Sequence, residues 1–251
     1  MIAPAGLAIV GAAAFAGGLV NAIAGGGSLI TFPVLVAIGL PAVTASLTNT
    51  VAMCPGYLGA TIAQRRDLAG QRGRAWRVLP GAALGGVAGA LLLLHTSDAS
   101  FDVAVPYLIL FAAALLAAQE PLRRWLVGRS RTPHSEAWAA VPVALAAIYG
   151  GYFGAGMGVM VLAALAVVLD DTLTRANALK QTVSLVVNVA AAIVFLGSGR
   201  IDWTIAVVMM AGALIGGAVG GLVASRVPPV ILRWTVVVVA VAVAIAYFVK
   251  P

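Results

Sequence analysis

Long apolar runs separated by short polar stretches make up most of the chain. Six of these runs come near the roughly 20 apolar residues that an α-helix needs to cross about 30 Å of hydrocarbon. They cover residues 4–23, 78–94, 101–118, 137–155, 203–224 and 228–249. The runs are rich in valine, alanine and leucine and lack a period of two, so the pattern predicts membrane helices and not a β-barrel.

A glycine-rich segment interrupts this pattern in the sequence AGGGSLITFPVLVAIG at 24–39. The apolar run at 27–39 has 13 residues, which as a helix cover only about 20 Å. Hydrocarbon cannot satisfy the backbone amides and carbonyls that such a break frees, so the break is expected to line a cavity or to be buried in protein. Close packing of helices through small residues is the alternative explanation for the glycines.

The same pattern returns in the second half of the chain at an offset of 131 residues. AGGG at 24–27 aligns with AGMG at 155–158, and PGAALGGVAG at 80–89 aligns with AGALIGGAVG at 211–220. Two separated clusters in one register predict a duplication, with a broken segment at the same place in each copy. For the later pair of glycine clusters, close helix packing is the expected role.

The predicted fold class is an all-α polytopic membrane protein made of two homologous repeats of about five helical elements each. The expected domains are a first transmembrane repeat at 1–118, a cytoplasmic linker at 119–136 and a second transmembrane repeat at 137–251. The predicted elements are 4–23, 27–39, 41–63, 78–94 and 101–118, then 137–155, 157–169, 173–196, 203–224 and 228–249. Whether 27–39 and 157–169 cross the membrane fully is left open.

Composition agrees with a membrane protein, since 62% of the residues are hydrophobic, 9% are charged and the mean hydropathy is +1.07. The net charge of +7 comes from cations between apolar spans, which is typical of the positive-inside rule, so no nucleic-acid partner is expected. Cys54, His95 and His134 form no cluster with metal-ligand spacing, so no metal or cofactor is expected. Neither histidine has an evident partner for catalysis, so an enzyme is not expected.

The arginines set the expected orientation. If all ten elements cross the membrane and the amino terminus is outside, only Arg200 and Lys250 face out. Arginines on the cytoplasmic side are then Arg65, Arg66, Arg72, Arg74, Arg77, Arg123, Arg124, Arg129, Arg131, Arg175, Arg226 and Arg233. We therefore expect inverted repeats with both termini outside, because parallel repeats with eight crossings distribute the cations less asymmetrically.

Lys180 is the most informative polar residue. It lies about eight residues into a predicted span, and the hydrophobic interior of the spans contains no aspartate or glutamate. An unpaired ammonium group in a membrane costs at least about 2.5–3.5 kcal/mol on insertion scales. An anionic ligand would offset this cost; backbone carbonyls of the broken segments, or deprotonation, are the alternatives.

The candidate site joins Lys180 to polar residues near the breaks and in the spans that follow them. The repeat register aligns Lys180 with Asn49, so both are expected to approach a pseudo-twofold axis. Lys180 is the expected charge partner of an anion, and the other candidates are hydrogen-bond donors in the spans or at the broken helix. These other substrate-binding candidates are Thr48, Asn49, Thr50, Asn177, Gln181, Ser28, Gly25, Gly26, Gly27, Asn21 and Asn188.

Three stretches of the chain also carry a family resemblance. They are GLVNAIAGGGSLITFPVLVAIGLPAVTASLTNTVAMCPGYLGATIAQRRDL, YGGYFGAGMGVMV and RANALKQTVSLVVNVAAAIVFLGSGRIDW. Together they resemble the TauE/SafE family of sulfite and organosulfonate exporters over essentially the whole chain. By position, the family's glycine-loop motif falls on Gly25, Gly26, Gly27 and Pro33, and its polar block on Thr48 and Asn49. In the second copy, Met157 and Ala164 stand where the central glycine and the proline would be.

The resemblance implies transport of small sulfur-containing or other organic anions across the bacterial inner membrane. We therefore expect a secondary transporter, working as an exporter of anions such as sulfite or sulfonates by alternating access between the repeats. The expected partners are the anionic substrate and the lipid bilayer, and a homo-oligomer is left open. An anion channel or pore, or a permease for carboxylates or other small anions, is the alternative.

Overall fold

The computed structural model describes residues 4–127, 139–168 and 172–249, and within these ranges the fold is built from ten α-helices. They are α1 (Pro4–Ile23), α2 (Ser28–Ala37), α3 (Ala42–Ala63), α4 (Arg72–His95), α5 (Asp98–Val127), α6 (Ala140–Tyr152), α7 (Met157–Val168), α8 (Leu173–Leu196), α9 (Trp203–Val223) and α10 (Pro229–Val249). The predicted all-α fold class is confirmed. The second half of the expected linker, including Arg129, Arg131 and His134, lies outside the described residues, as does Lys250.

Six of the described helices, α1, α4, α5, α8, α9 and α10, are long and apolar enough to cross a membrane. Helix α3 has 22 residues, but its block of threonine, serine and asparagine lowers its hydropathy. Helices α2, α6 and α7 have 10, 13 and 12 residues, too few to cross about 30 Å of hydrocarbon alone. The outward surface carries exposed apolar side chains such as Leu84 and Ile231, which suits contact with lipid.

Helices α4, α5 and α6 differ most in length from the predicted elements, and α4 begins at Arg72 instead of residue 78. Helix α6 is shorter than the expected span at 137–155, because it ends at Tyr152 and the chain then turns at Gly154, whose φ is +81°. Helix α5 is longer than the expected 101–118 and continues to Val127, so the first half of the expected linker is helical.

The helix contacts of the first half have counterparts in the second. Helix α1 packs on α9 as α6 packs on α4, and α3 packs on α9 as α8 packs on α4. The pairs α1 with α2 and α6 with α7 correspond in the same way, and α3 with α8 and α5 with α10 join equivalent elements. Helices α1 and α3 of the first half thus pack on α9 of the second, and α6 and α8 of the second half pack on α4 of the first. The expected repeat requires such matching contacts, while the duplication itself stays a prediction.

The glycine clusters of α4 and α9 bring helices into backbone contact. A methyl group on Gly217 would overlap the carbonyl oxygen of Gly56 in α3, and one on Gly89 would overlap that of Ile148 in α6. On the other side of α9, Gly216 meets the carbonyl oxygen of Phe15 in α1. The expectation of close packing through these glycines is confirmed.

Candidate functional site

The two helix breaks lie against each other inside the protein. The first break places Gly25 and Gly26 at φ values of +80° and +87°, and the second places Gly154 and Gly156 at +81° and +79°, a region that favours glycine. A Cβ atom built on Gly158, which follows the second break, would lie 3.7 Å from the Cα atom of Gly25. Met157 does not prevent the second break, because Gly154 and Gly156 turn the chain before α7 begins.

Lys180 lies where the two breaks meet. Its side chain is 2% exposed, and its Cδ atom would be 3.5 Å from a Cβ atom on Gly158. The ammonium group donates a 3.1 Å hydrogen bond to the carbonyl oxygen of Asn21, at the end of α1. No ion pair joins Lys180 to a carboxylate among the described residues.

The break leaves two carbonyl groups at the end of α1 for side chains of α8. In an unbroken helix the carbonyls of Asn21 and Ala22 would accept from the amides of residues 25 and 26, but the Gly25 amide turns to Val20 instead. Gln181 Nε2 donates to the Asn21 and Ala22 oxygens at 2.9 and 3.0 Å. Asn177 and Lys180 add one bond each, so three donors on one face of α8 bind these freed carbonyls.

These bonds bear on the role expected for Asn177, Gln181 and Lys180. In the described conformation their donors bind backbone carbonyls of α1. Such carbonyls are one of the alternatives to an anion that the sequence left open for offsetting the cost of the buried Lys180. Asn177 Nδ2 also donates to Gln64 Oε1 at 2.9 Å. The Gln181 Oε1 atom is buried and accepts from no described group.

Asn49 occupies the corresponding place in the first half. Its Oδ1 atom accepts a 2.5 Å hydrogen bond from Thr31, and its Nδ2 atom donates to Ser28 Oγ at 3.2 Å. Asn49 therefore holds the first turn of α2, as Lys180 lies beside the first turn of α7.

Asn21 joins the two sides of the first break. Its Oδ1 atom accepts from the Gly27 amide at 2.6 Å, and its Nδ2 atom donates to the hydroxyl of Tyr57 at 3.2 Å. The Gly25–Gly27 segment and Ser28 are thus part of the same buried group as Lys180 and Gln181.

Three predicted site residues lie outside this group. Thr48 Oγ1 accepts from the amide of Asp202 at 3.1 Å, so it anchors the start of α9. Thr50 is buried, and its carbonyl accepts from Cys54 Sγ. Asn188 Nδ2 donates to the Ser184 carbonyl of its own helix at 2.8 Å, and not to another helix.

The sequence interpretation missed Thr31, Tyr57 and Gln64, which contact the predicted residues directly. Thr31 carried a usable signal, because it is a polar residue one turn after Gly27 in an apolar run. Among the described residues, no group of three histidine, cysteine, aspartate or glutamate side chains could hold a metal ion.

We expect Asn21→Ala to lower the free energy of unfolding by about 1–3 kcal/mol, because it leaves the Gly27 amide buried without its acceptor. Asn188→Ala is a matched control, since both asparagines are 5% exposed but the Asn188 bond stays within one helix. Reversible denaturation in detergent measures both losses. Equal losses would contradict the role of Asn21 as a clamp of the break.

Comparison with known proteins places the chain among membrane transporters. The family model described as "Sulfite exporter TauE/SafE" matches residues 10–247. The chain is 31% identical to "Probable membrane transporter protein" of Haemophilus influenzae, covering 92% of this chain and 90% of the relative. It is 30% identical to "Probable membrane transporter protein ORF9" of Sinorhizobium sp, with 98% and 93% covered, and 26% identical to "Probable membrane transporter protein YfcA" of Escherichia coli strain K12, with 96% and 89% covered. No solved structure gives a significant match.

Proposed function

The chain belongs to the sulfite exporter TauE/SafE family of membrane transporters, and we propose that it exports small sulfur-containing or organic anions such as sulfite or sulfonates. The observation that carries this proposal is the buried ammonium group of Lys180 at the meeting point of the two breaks. We propose an alternating-access mechanism around this point, with the bacterial inner membrane as the location, both termini outside and the arginine-rich loops in the cytoplasm.

The charge of Lys180 supports an anion as the substrate. The one hydrogen bond to Asn21 leaves two of the three ammonium protons without a described acceptor. A buried, incompletely paired cation costs several kcal/mol, and an oxyanion beside it would offset that cost. The neighbouring amide groups of Asn177 and Gln181 supply further donors of the kind that binds oxyanions.

The hydrogen-bond donors of α8 have two alternative acceptors in this proposal, which are the freed carbonyls of α1 and the bound anion. In the empty site the donors of α8 bind the carbonyls of Asn21 and Ala22. In the loaded site, Lys180 and Gln181 turn part of their hydrogen bonding to the anion. The anion thereby weakens the bonds between α8 and α1, which belong to different halves, and this coupling links binding to the relative movement of the halves.

A thermal-shift screen of the purified protein tests this proposal. The ligands are sulfite, sulfate, thiosulfate, methanesulfonate and acetate. A ligand at about 100 times its Kd stabilises a protein by about 2.7 kcal/mol, so a bound anion raises Tm measurably. The shift should vanish in Lys180→Met and persist in Arg72→Met, which removes an equal charge from an exposed site. A flat response to every anion in the unsubstituted protein would contradict the proposal.

A carrier and a pore differ in their flux. If the mechanism is alternating access, an anion on one side of a proteoliposome accelerates efflux of labelled anion from the other side, and the flux saturates. Flux that rises linearly with concentration and shows no exchange would favour the channel interpretation instead.

A further inference from the structure

A cavity of about 450 Å³ lies beside the end of α1, and the function proposed above does not yet use it. Its wall includes Ile23 of α1, Asn177 of α8, Arg226 in the turn between α9 and α10, and Arg233 of α10. We call it the Arg233 cavity. Its size is sufficient for a small organic or inorganic anion.

Arg233 is an unusual residue for the wall of an open cavity. It is 6% exposed, and its Nε atom is buried without a hydrogen-bond partner among the described residues. The lining contains two guanidinium groups, from Arg226 and Arg233, and one carboxylate, from Glu120, which already has an interaction partner. The described lining therefore carries a net positive charge next to an unsatisfied buried donor.

The Arg233 cavity leads towards Lys180 in two ways. Asn177 lines the cavity and lies one helical turn of α8, about 5.4 Å, from Lys180 and Gln181. A second cavity of only about 10 Å³ shares Gln119 and Leu162 with the first and reaches Val159, whose amide would lie 3.7 Å from a Cβ atom on Gly25. A space of that size holds at most about one water molecule. We call this second cavity, with Gln119 and Leu162 in its wall, the constriction.

We propose that the Arg233 cavity is an anion-binding vestibule, in which Arg233 holds an oxyanion before it passes the constriction to Lys180. This proposal rests on the function proposed above for its second step, the transfer to Lys180. Sulfonate, sulfite and phosphate groups share the chemistry that a guanidinium group recognises, and the vestibule accepts them from solution and not as part of a lipid headgroup. Arg226 and Arg233, expected from the sequence only to orient the chain, thereby gain a role in substrate capture.

The test measures the electrostatic potential in the cavity without needing the natural substrate. A Ser225→Cys substitution places a thiol on the cavity wall, in a chain whose own cysteine is replaced by Cys54→Ser. The reaction rates of this thiol with an anionic, sulfonate-bearing methanethiosulfonate and with a cationic one give a ratio. Removing one nearby unit charge should lower the ratio of the anionic to the cationic rate by about tenfold.

We expect this loss in Arg233→Gln and not in Arg233→Lys, which keeps the charge. Arg66→Gln is the matched control, because Arg66 is exposed and lies outside the cavity. Methanesulfonate, which does not react with thiols, should slow the anionic reagent when Arg233 is present and lose this effect in Arg233→Gln. The Arg233→Lys variant also separates a loss of charge from a general loss of folding.

An unchanged rate ratio in Arg233→Gln would overturn the vestibule. The measurement is made in phosphatidylcholine vesicles and in vesicles that also contain phosphatidylglycerol. If protection by methanesulfonate disappears when phosphatidylglycerol is present, Arg233 binds a lipid headgroup and the proposal is likewise wrong. Failure of the proposed function shows elsewhere, as a missing thermal shift at the Lys180 site, while the change that Arg233→Gln causes in the rate ratio at Ser225→Cys does not depend on Lys180.

Discussion

Lys180→Met is expected to abolish anion transport and, at the same time, to stabilise the folded protein. Methionine has a side chain of similar length and no charge, so it removes the cost of burying an ammonium group, at least about 2.5–3.5 kcal/mol. Loss of the hydrogen bond to the Asn21 carbonyl reduces this gain in stability by about 1.5–3 kcal/mol. That carbonyl still accepts a hydrogen bond from Gln181. We therefore expect a net gain of about 1 kcal/mol in the free energy of unfolding and a loss of saturable anion exchange.

The opposite signs of the two effects make this prediction specific. Substitution of a residue that only stabilises the fold should reduce stability and transport together, and Gly217→Ala, at the contact between α9 and α3, provides that comparison. Unfolding in detergent and exchange of labelled anion in proteoliposomes measure the two quantities on the same preparation. Normal exchange in Lys180→Met would remove the basis of the anion proposal, and a clear loss of stability would mean that the carbonyl bond outweighs the cost of burial.

Much of the fold could be predicted from the sequence, because lipid imposes a simple rule on the backbone. Each apolar run had to be a helix, and all ten predicted elements appear among the described residues. The errors occur where hydropathy carries no information about length. The end of α6 at Tyr152 depends on glycines that turn the chain, and the extension of α5 to Val127 continues through a polar stretch that a helix tolerates outside the hydrocarbon.

The candidate site was predictable only in part, for a physical reason. A lysine in an apolar span is visible in the sequence, whereas its partner is a backbone carbonyl, which every residue has. The bonds from Lys180 and Gln181 to Asn21 therefore could not be read from side-chain types. Thr48 shows a related difficulty, since a buried threonine can also anchor the amide at the start of another helix, here that of Asp202.

Gly217→Ala is expected to lower the free energy of unfolding by about 3 kcal/mol or more. The added methyl group would overlap the carbonyl oxygen of Gly56, and two helix backbones cannot repack as side chains do. Helix α9 would have to move away from α3, whose Thr48 anchors the first residue before α9. Because Asn49 is the next residue of α3 after Thr48, a shift of α3 relative to α9 should also displace Asn49 from its hydrogen bonds at the first break.

Gly81→Ala is the control, and its expected effect has the opposite sign. The nearest atoms to a Cβ on Gly81 lie 3.5 Å away, which is ordinary contact. Alanine there gains up to about 1 kcal/mol from its better helix propensity. Denaturation of both variants in the same detergent gives the comparison, and a Gly217→Ala protein as stable as Gly81→Ala would mean that α9 and α3 do not meet through their backbones. Gly89→Ala in α4 should lower stability as Gly217→Ala does, because its methyl group would likewise overlap a backbone carbonyl oxygen, that of Ile148 in α6.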